Sequence, residues 1–400
     1  MTAGATIRVL HFSNATTRAG AEEHMLTLLR GFDRQRFRPY LACPNALAKR
    51  LDRDLPADVE LFGLSFFTPY QPEAAWRLGR LLHELRIDVL HSHMFRASLC
   101  ASPIGRLCRV PAIIETPHVR ENWRRGWKSS YWIDRLAGRA VDAYVAVSQA
   151  NADYLVRKKG LPARKVRVIR NGCDLARFDP RRPAPAGLRQ SLGFAQSDPV
   201  LVAVGRLEPQ KGHHTLLGAM TLVRRAFPRA RLVCVGDGSL RAELENQARA
   251  LGLGDAVRMV GFQAGVEDWL ALADLTVLPS LYEGLPLAAI ESLAAGRAVV
   301  ATAVDGTPEA IVDGETGLTT PAGEPAALAR AILRLLENPT LRLELAAAGR
   351  AWAVERFSHS RQVRETEQLY RRIWEARRQP RGETSAAAAS APERQTIGMP

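Results

Sequence analysis

Short aliphatic runs alternate with longer amphipathic segments along most of the 400-residue chain. This alternation is typical of βαβ units, in which helices connect parallel strands and cover both faces of the sheet. In the first half of the chain, the predicted strands are IRVLHFS, RPYLACP, DVLHSH, AIIETPH and AYVAVS.

A second series of such units follows a stretch between residues 179 and 199 that is rich in proline, alanine and arginine. Its predicted strands are PVLVAVGRL, ARLVCVGDG, VRMVGF, LTVLPS, AVVATAV and GLTT. Because 400 residues exceed what one compact core usually holds, the pattern predicts an α/β protein with two doubly wound, Rossmann-like domains.

The predicted domain boundaries follow these two series. We assign residues 1–178 to the N-terminal domain and 179–355 to the C-terminal domain, followed by a helix over 356–379. Residues 380–400 lack periodicity and bulky apolar side chains, so we expect a disordered tail.

The net charge of +14 is compatible with nucleic acid or an anionic membrane as a partner. The chain has no zinc-finger spacing and no aromatic RNA-binding signature, so we expect no nucleic-acid partner. No run approaches the roughly 20 apolar residues of a membrane span, and the N-terminus lacks a signal-peptide pattern. We therefore expect a cytoplasmic protein.

The segment 123–139 is the best candidate for a membrane contact at the inner face of the cell membrane. If it is one helix, it combines a basic face with an aromatic stripe, which suits an anionic interface. An ordinary helix that buries its tryptophans in the domain core is the alternative. The basic face would contain Arg124, Lys128, Arg135 and Arg139, and the stripe Trp123, Trp127 and Tyr131.

The segment LTVLPSLYEGLPLAAIE predicts a strand, a loop with an acid, and a helix with a second acid. Free amides around Leu287 and Ala288, aided by the helix dipole, would face a diphosphate. Glu283 would accept hydrogen bonds from sugar hydroxyls, and Glu291 from a ribose. The alternative is a surface helix with two unrelated glutamates.

The segment GRLEPQKG places Arg206 and Lys211 just after a predicted strand, where doubly wound folds bind ligands. A diphosphate leaving group needs fixed positive charge, which these cations would supply in place of Mg²⁺. We find no Asp-x-Asp motif of the metal-dependent sugar transferases and predict no metal site. Two solvated cations in a loop are the alternative.

These segments together resemble glycosyltransferase family 4, whose members are retaining enzymes of the GT-B fold. The resemblance rests on GRLEPQKG, EGLPLAAIE and GTPEAIVDGETGL, and NGCDLARFDP is similar to the family's interdomain passage. It covers residues 7 to 375 and is strongest from 166 to 322. It implies two Rossmann-like domains that face a central cleft, with the helix over 356–379 returning to the N-terminal domain.

The resemblance also implies roles for matching residues. The donor phosphates would meet Arg206 and Lys211, the transferred sugar would meet Glu283 with the backbone of Gly284 and Leu285, and the ribose would meet Glu291. The nucleobase would lie near Phe262 and Gln263.

In the N-terminal domain, TRAGAEEH resembles the glycine-rich loop that approaches the donor phosphate. Gly20 matches one of the family's two adjacent glycines, and Ala19 stands where the other is usual. His118, in ETPHV, matches a histidine near the reacting centre, where it would orient the donor sugar or stabilise charge.

The resemblance therefore implies a retaining, metal-independent transferase in which the acceptor attacks the donor sugar from the front face. It would move a sugar from a UDP- or GDP-linked donor, without a further cofactor, to a glycan or lipid-linked acceptor. Synthesis of bacterial lipopolysaccharide or exopolysaccharide is the expected pathway. The alternatives are a GT-B nucleotide-sugar epimerase, a phosphorylase, and a nonenzymatic basic binder of membranes or nucleic acids.

Overall fold

Two parallel β-sheets, one in each half of the chain, organise the protein. A computed structural model describes residues 6–66, 71–120 and 131–378. The tail predicted to be disordered, 380–400, lies outside the described residues.

The first sheet has seven strands within the described residues, in the order β3-β2-β1-β4-β5-β6-β7, and all of them pair in parallel. The strands are β1 (Ile7–Ser13), β2 (Phe37–Cys43), β3 (Glu60–Gly63), β4 (Val89–His93), β5 (Ala112–Thr116), β6 (Ala143–Ala146) and β7 (Val166–Val168).

The second sheet has six parallel strands within the described residues, in the order β10-β9-β8-β11-β12-β13. The strands are β8 (Val200–Val204), β9 (Arg231–Val235), β10 (Val257–Met259), β11 (Leu275–Leu278), β12 (Ala298–Thr302) and β13 (Leu318–Thr320). The predicted α/β class with two doubly wound units is confirmed.

Helices cover both faces of the two sheets. In the first half they are α1 (Gly20–Gly31), α2 (Asn45–Leu51), α3 (Pro72–Glu84), α4 (Phe95–Leu107), α5 (Tyr131–Ala137) and α6 (Gln149–Asp153). In the second half they are α7 (Leu188–Ser191), α8 (His213–Ala226), α9 (Arg241–Ala250), α10 (Val266–Leu272), α11 (Leu287–Ala294), α12 (Thr307–Ala310), α13 (Pro325–Glu337), α14 (Pro339–Arg356) and α15 (His359–Arg378).

Burial explains why the strands read as continuous apolar runs. Every residue of β5, β11 and β12 is buried, as expected where helices cover both faces of a parallel sheet. The helices instead bury one stripe, so α13 places Leu328, Ile332 and Leu335 in the core.

The strand order reverses beside the first strand of each sheet. In the first sheet β1 lies between β2 and β4, and in the second sheet β8 lies between β9 and β11. Loops leave such a strand pair in opposite directions, which opens a crevice at the carboxyl ends of the strands. The loops after β1, β4, β8 and β11 are therefore positioned to form a site.

The last helix, α15, packs on the first sheet. The chain crosses back at Phe357, whose carbonyl accepts a hydrogen bond from the Cys173 N–H at 2.9 Å. Val363 and Tyr370 of α15 then join the apolar cluster beneath β1 and β2.

Two strands of the first sheet, β3 and β7, were not predicted. They are a short outer strand on each side of the sheet, and their side chains are only partly buried or exposed. Their sequences, ELFG and VRV, are therefore too short and too polar to give a clear apolar run.

The predicted helix over 123–139 is only partly described, because residues 121–130 lie outside the described residues. Its described part is α5, which ends at Ala137. The prediction that Arg135 and Arg139 share one helix face is wrong, because Gly138 follows the helix and Arg139 lies in a turn.

A hydrogen bond beneath the first sheet gives a stability prediction. The Tyr370 hydroxyl lies 2.5 Å from Nδ1 of His91, and both side chains are buried. Tyr370→Phe leaves the imidazole nitrogen without a partner, so we expect the free energy of unfolding to fall by about 1–3 kcal/mol. Urea titration followed by circular dichroism measures the loss.

The matched control is Tyr40→Phe. Tyr40 is buried in the same sheet, and its hydroxyl makes no hydrogen bond within the described part of the chain. Equal stability losses for the two variants would contradict a specific contribution of the Tyr370 hydroxyl.

Candidate active site

The loops that follow β8 and β11 are bonded to each other by the residues predicted to bind the donor. The Lys211 Nζ lies 2.5 Å from Oε1 of Glu283, and the Ser280 hydroxyl donates to the same oxygen at 2.7 Å. The Gln210 amide donates to the Tyr282 carbonyl at 3.0 Å. The carboxylate of Glu283 is therefore buried, charge-paired and fixed in position.

Gly284 carries this loop across the cleft into contact with the N-terminal domain. A Cβ atom at this position would lie 1.8 Å from the His118 carbonyl oxygen, so only glycine permits the approach. The Ser148 hydroxyl donates to the Gly284 carbonyl at 2.8 Å, and the Asn171 amide donates to the Leu285 carbonyl at 3.0 Å.

The first turns of two helices converge at the same place. Helix α11 begins at Leu287, directly after Pro286, and α1 begins at Gly20. A Cβ atom on Gly20 would lie 3.7 Å from the Leu287 side chain. Leu287 and Ala288 are half-buried, so both helix N-termini present positive ends of their dipoles to the cleft.

Arg206 adds a charge to this region, and Glu22 lies opposite. The exposed Arg206 guanidinium donates to the Gln210 side chain at 3.4 Å. Glu22 of α1 is buried and accepts a hydrogen bond from the Ala19 N–H at 3.0 Å. Burial raises the pKa of Glu22 to about 7, although the charge of Arg206 acts in the opposite direction.

Glu291 lies one turn into α11 and is half-buried. Removal from water, and then the nearby charge of Glu23, raise the pKa of Glu291 to about 7. Hydroxyl groups that donate hydrogen bonds to this carboxylate would favour its ionised form.

Phe262 and Gln263 lie at the rim of this region. Both follow β10, an outer strand of the second sheet, and the Gln263 amide donates to the Val260 carbonyl at 2.8 Å. The half-exposed Phe262 ring faces the Arg18 guanidinium across the cleft at 5.9 Å. Within the described residues, neither side chain bonds to Arg206, Lys211 or Glu283.

His118 belongs to a chain of buried histidines at the carboxyl ends of β1, β4 and β5. Its Nε2 lies 3.2 Å from Nδ1 of His93, whose Nε2 lies 2.9 Å from Nδ1 of His11. His24 of α1 packs edge-on against His118, with ring centroids 4.7 Å apart. The His24 Nδ1 lies 2.9 Å from the side-chain oxygen of Asn171, in the interdomain passage.

These imidazoles are neutral. Burial, followed by the charge of His24, holds the pKa of His118 well below its usual range, and burial lowers the pKa of His24 to about 4. A neutral ring suits the orientation of a bound group by hydrogen bonding, which is one of the two roles expected for His118.

Two groups of three buried histidines could hold a transition metal, since their ligand atoms lie within 4.8 Å of one another. In one group, both nitrogens of His91 are already engaged by Tyr370 and Thr116, at 2.5 and 2.7 Å. The groups are His11, His91 and His93, and His24, His93 and His118. The absence of a metal requirement stays a prediction.

Sequence reading overlooked one Asp-x-Asp triplet, Asp52 to Asp54. The triplet follows α2, and Asp54 is paired with Arg18 and Arg30. Because both partners are cations, the Asp54 carboxylate serves ion pairs in the N-terminal domain.

A large cavity adjoins the histidines on the N-terminal side of the cleft. Its volume is about 1120 Å³, and it lies at the carboxyl ends of β1 to β4. Its walls combine hydroxyl and amide groups with aromatic rings and two exposed arginines, and they include Asn14, Thr17, Asn45, Phe66, Phe95, Arg77 and Arg96.

The structure therefore brings Gly20, His118, Arg206, Lys211, Glu283, Gly284, Leu285, Leu287, Ala288 and Glu291 to one cleft, with Phe262 and Gln263 at its rim. Sequence reasoning missed Glu22, His24 and His93. A signal existed for His93, because the HSH of DVLHSH puts two histidines on one face of a strand that ends at the cleft.

Comparison with known proteins agrees with this geometry. The family profile described as Glycosyl transferases group 1 matches residues 187–352, and that described as Glycosyltransferase Family 4 matches residues 18–177. Glycogen synthase of Mycobacterium tuberculosis is 32% identical over an alignment of 321 residues, and the alignment covers 77% of this chain and 74% of that protein.

Solved structures match over nearly the whole chain. HepE of Anabaena, in complex with UDP and glucose, superposes with a TM-score of 0.81 at 23% identity, covering 92% of this chain and 100% of that one. WaaG, described as a glycosyltransferase involved in lipopolysaccharide biosynthesis, gives 0.70 at 16% identity, with 92% and 99% covered. The predicted GT-B fold is confirmed.

The raised pKa of Glu22 predicts that replacing this residue with glutamine stabilises the protein more as the pH rises. The folded value of about 7 exceeds the ordinary 4.5, so the favourable contribution of this group is complete below pH 4.5 and is lost as pH rises through 7. Glu22→Gln keeps an acceptor for the Ala19 N–H and removes the titration. Between about pH 4.5 and pH 8, the free energy of unfolding of Glu22→Gln should therefore rise by on the order of 3 kcal/mol relative to that of wild type.

Urea unfolding at a series of pH values measures this difference. Glu344→Gln, at an exposed position on α14, is the matched control and should show no such trend. A stability difference for Glu22→Gln that stays constant with pH would contradict the prediction.

Proposed function

Since the chain belongs to glycosyltransferase family 4 and is a glycosyltransferase, we propose that it retains the anomeric configuration of the transferred sugar and needs no metal. The proposed donor is a UDP- or GDP-linked sugar, and the proposed acceptor is a glycan or a lipid-linked sugar. We propose a pathway in the synthesis of bacterial lipopolysaccharide or exopolysaccharide.

The observation that carries this proposal is the convergence of positive charge and polar acceptors at one cleft. Arg206, Lys211 and two helix N-termini are available to a diphosphate. Glu283 lies beside Lys211, and Glu291 lies one turn into α11. Such an arrangement suits a ligand with an anionic centre and hydroxyl-bearing sugars on both sides.

The fixed position of Glu283 supports front-face attack over a covalent intermediate. Its carboxylate is paired with Lys211 and accepts a hydrogen bond from Ser280, which reduces its nucleophilicity and suits it to position sugar hydroxyls. The departing phosphate would then accept the proton of the acceptor hydroxyl. His118, as a neutral ring beside Gly284, would orient the donor sugar.

Fixed cations support a mechanism without a metal. Arg206 and Lys211 would neutralise the charge that develops on the leaving diphosphate, which is the task that Mg²⁺ performs in other transferases. Two protein cations and two helix dipoles supply this stabilisation without a metal ion.

The relatives guide the choice of substrates. HepE binds UDP and glucose, which makes a UDP-linked hexose the first donor to test. WaaG is described as involved in lipopolysaccharide biosynthesis, and the large cavity beside His93 has room for a sugar acceptor. The aromatic rings that line this cavity suit stacking against sugar faces.

The test is transfer from UDP-, GDP- and ADP-sugars to a panel of glycan and lipid-linked acceptors, with and without EDTA. We expect a UDP- or GDP-sugar to be used, EDTA to have no effect, and proton NMR to show the donor's anomeric configuration in the product. Glu283→Gln and His118→Ala should each slow transfer about a hundredfold, since each removes a transition-state contact of a few kcal/mol.

Leu343→Ala, at an exposed position on α14, is the control for these variants. Transfer by both site variants within a few fold of wild type would contradict the assignment. Conversion of the free nucleotide sugar to an isomer would indicate the epimerase, and absence of any turnover would indicate a binding protein.

We also propose a peripheral contact with an anionic membrane. No helix in the described residues is both long and apolar enough to cross a bilayer. Three neighbouring helices of the N-terminal domain instead expose large apolar side chains: Trp76 of α3, Leu107 of α4, and Trp132 and Leu136 of α5. Arginines Arg80 and Arg135 lie on the same helices.

Co-sedimentation with vesicles tests this contact. We expect binding at low salt to vesicles that contain anionic lipid, and severalfold weaker binding for the Trp132→Ala/Leu136→Ala protein, which lacks two insertable side chains. Leu343→Ala, equally exposed but on the C-terminal domain, is the matched control. Binding that changes neither with the lipid charge nor with the double substitution would contradict the proposal.

A further inference from the structure

A second bridge crosses the cleft beside the loop that holds Glu283. Arg120 follows His118 by two residues in the N-terminal domain, and its guanidinium forms an ion pair with Asp305 of the C-terminal domain. The other carboxylate oxygen of Asp305 accepts a hydrogen bond from the Glu283 N–H at 3.0 Å. Asp305 therefore joins the partner domain on one side to the Glu283 backbone on the other.

Asp305 is buried at the bridge, and its backbone adopts a conformation that aspartate seldom takes. Its side chain is only 7% exposed, and its φ of 45° lies in the left-handed region that favours glycine. Burial raises the pKa of Asp305, whereas the hydrogen bond from the Glu283 N–H and the charge of Arg120 oppose this effect. The ionised carboxylate is thus stabilised both by the Glu283 backbone and by the guanidinium of the other domain.

We propose that Asp305 is a positioning residue that couples domain closure to the placement of Glu283. When the cleft closes, Arg120 fixes the Asp305 carboxylate, and the carboxylate fixes the amide of Glu283 in the orientation that transfer requires. When the cleft opens, Arg120 departs and the Glu283 loop loses this restraint. The consequence for catalysis rests on the proposed function, whereas the structural coupling does not.

A second interdomain ion pair provides the comparison that this proposal needs. Arg170 pairs with Glu309 at 3.0 Å, and Glu309 also accepts a hydrogen bond from the Ala150 N–H at 3.0 Å. This pair bridges the same two domains but does not contact the Glu283 loop. Arg170→Gln therefore weakens a cross-cleft bridge of similar kind without removing the proposed coupling.

Substitution at Asp305 separates positioning from folding. Asp305→Gly removes the carboxylate and suits the positive φ, so the protein should fold with an unchanged melting temperature. We expect kcat to fall about ten- to a hundredfold because Glu283 is misplaced, with little change in the Kd for UDP. Asp305→Asn retains an oxygen that can accept the hydrogen bond from the Glu283 N–H, so its kcat should fall less.

Combining substitutions at Arg120 and Asp305 tests the ion pair. Arg120→Gln should reduce kcat to the level of Asp305→Asn, and the double variant should be no worse than either single variant, because both break one interaction. Arg170→Gln should stay within about twofold of wild type. An equal loss for Arg170→Gln, or additive losses for Arg120 and Asp305, would overturn the proposal.

Amide hydrogen exchange tests the coupling without any substrate. A peptide that spans residues 281–285 should exchange severalfold faster in Asp305→Gly and Arg120→Gln, and at the wild-type rate in Arg170→Gln. Unchanged exchange in Asp305→Gly would overturn the coupling. If wild type turned over no nucleotide sugar, the proposed function would fail, and the exchange rates alone would still decide the coupling.

Discussion

The contact between two backbone segments at the cleft is the constraint on which the site depends. Gly284 lies against the His118 carbonyl, and a Cβ atom on Gly306 would lie 1.8 Å from the Gly284 carbonyl oxygen. A side chain at Gly284 would push the N-terminal domain away, and a side chain at Gly306 would displace the Gly284 loop that makes this contact. Because these glycines leave room, Glu283, His118 and the start of α11 occupy one small volume.

Electrostatics explains how this crowded volume can accept an anion. Glu22 and Glu291 have pKa values raised to about 7, so a substantial fraction of each is uncharged at neutral pH. The neighbouring histidines are neutral, and Glu283 is balanced by Lys211. The remaining fixed charge, on Arg206 and at the two helix N-termini, is positive and meets little local opposition.

The sequence was sufficient for the features that depend on local order along the chain. The strands of both sheets were predictable because burial on both faces leaves apolar runs, and the loops after β8 and β11 carry their functional residues within a few positions of each other. The short outer strands β3 and β7 could not be predicted, because pairing with a neighbour, rather than their own composition, makes them strands.

Features made by distant segments could not be predicted in the same way. His24, His93 and His118 come from three separate parts of the chain, and the ring contact and hydrogen bond that join them exist only once β1, β4 and β5 are aligned in one sheet. The pairing of Arg120 with Asp305 likewise requires the arrangement of the two domains and a positive φ at an aspartate. No local sequence pattern predicts either of these features.

This difference explains why the donor side of the cleft is better defined than the acceptor side. The proposed donor-binding groups are largely backbone amides and residues in two short loops, which suit a diphosphate common to many donors. The proposed acceptor side is a cavity of about 1120 Å³, lined by side chains from several loops of the N-terminal domain. Loops of this kind can change shape and polarity without disturbing the sheets, so acceptor specificity can vary while the donor site and the cleft contact stay fixed.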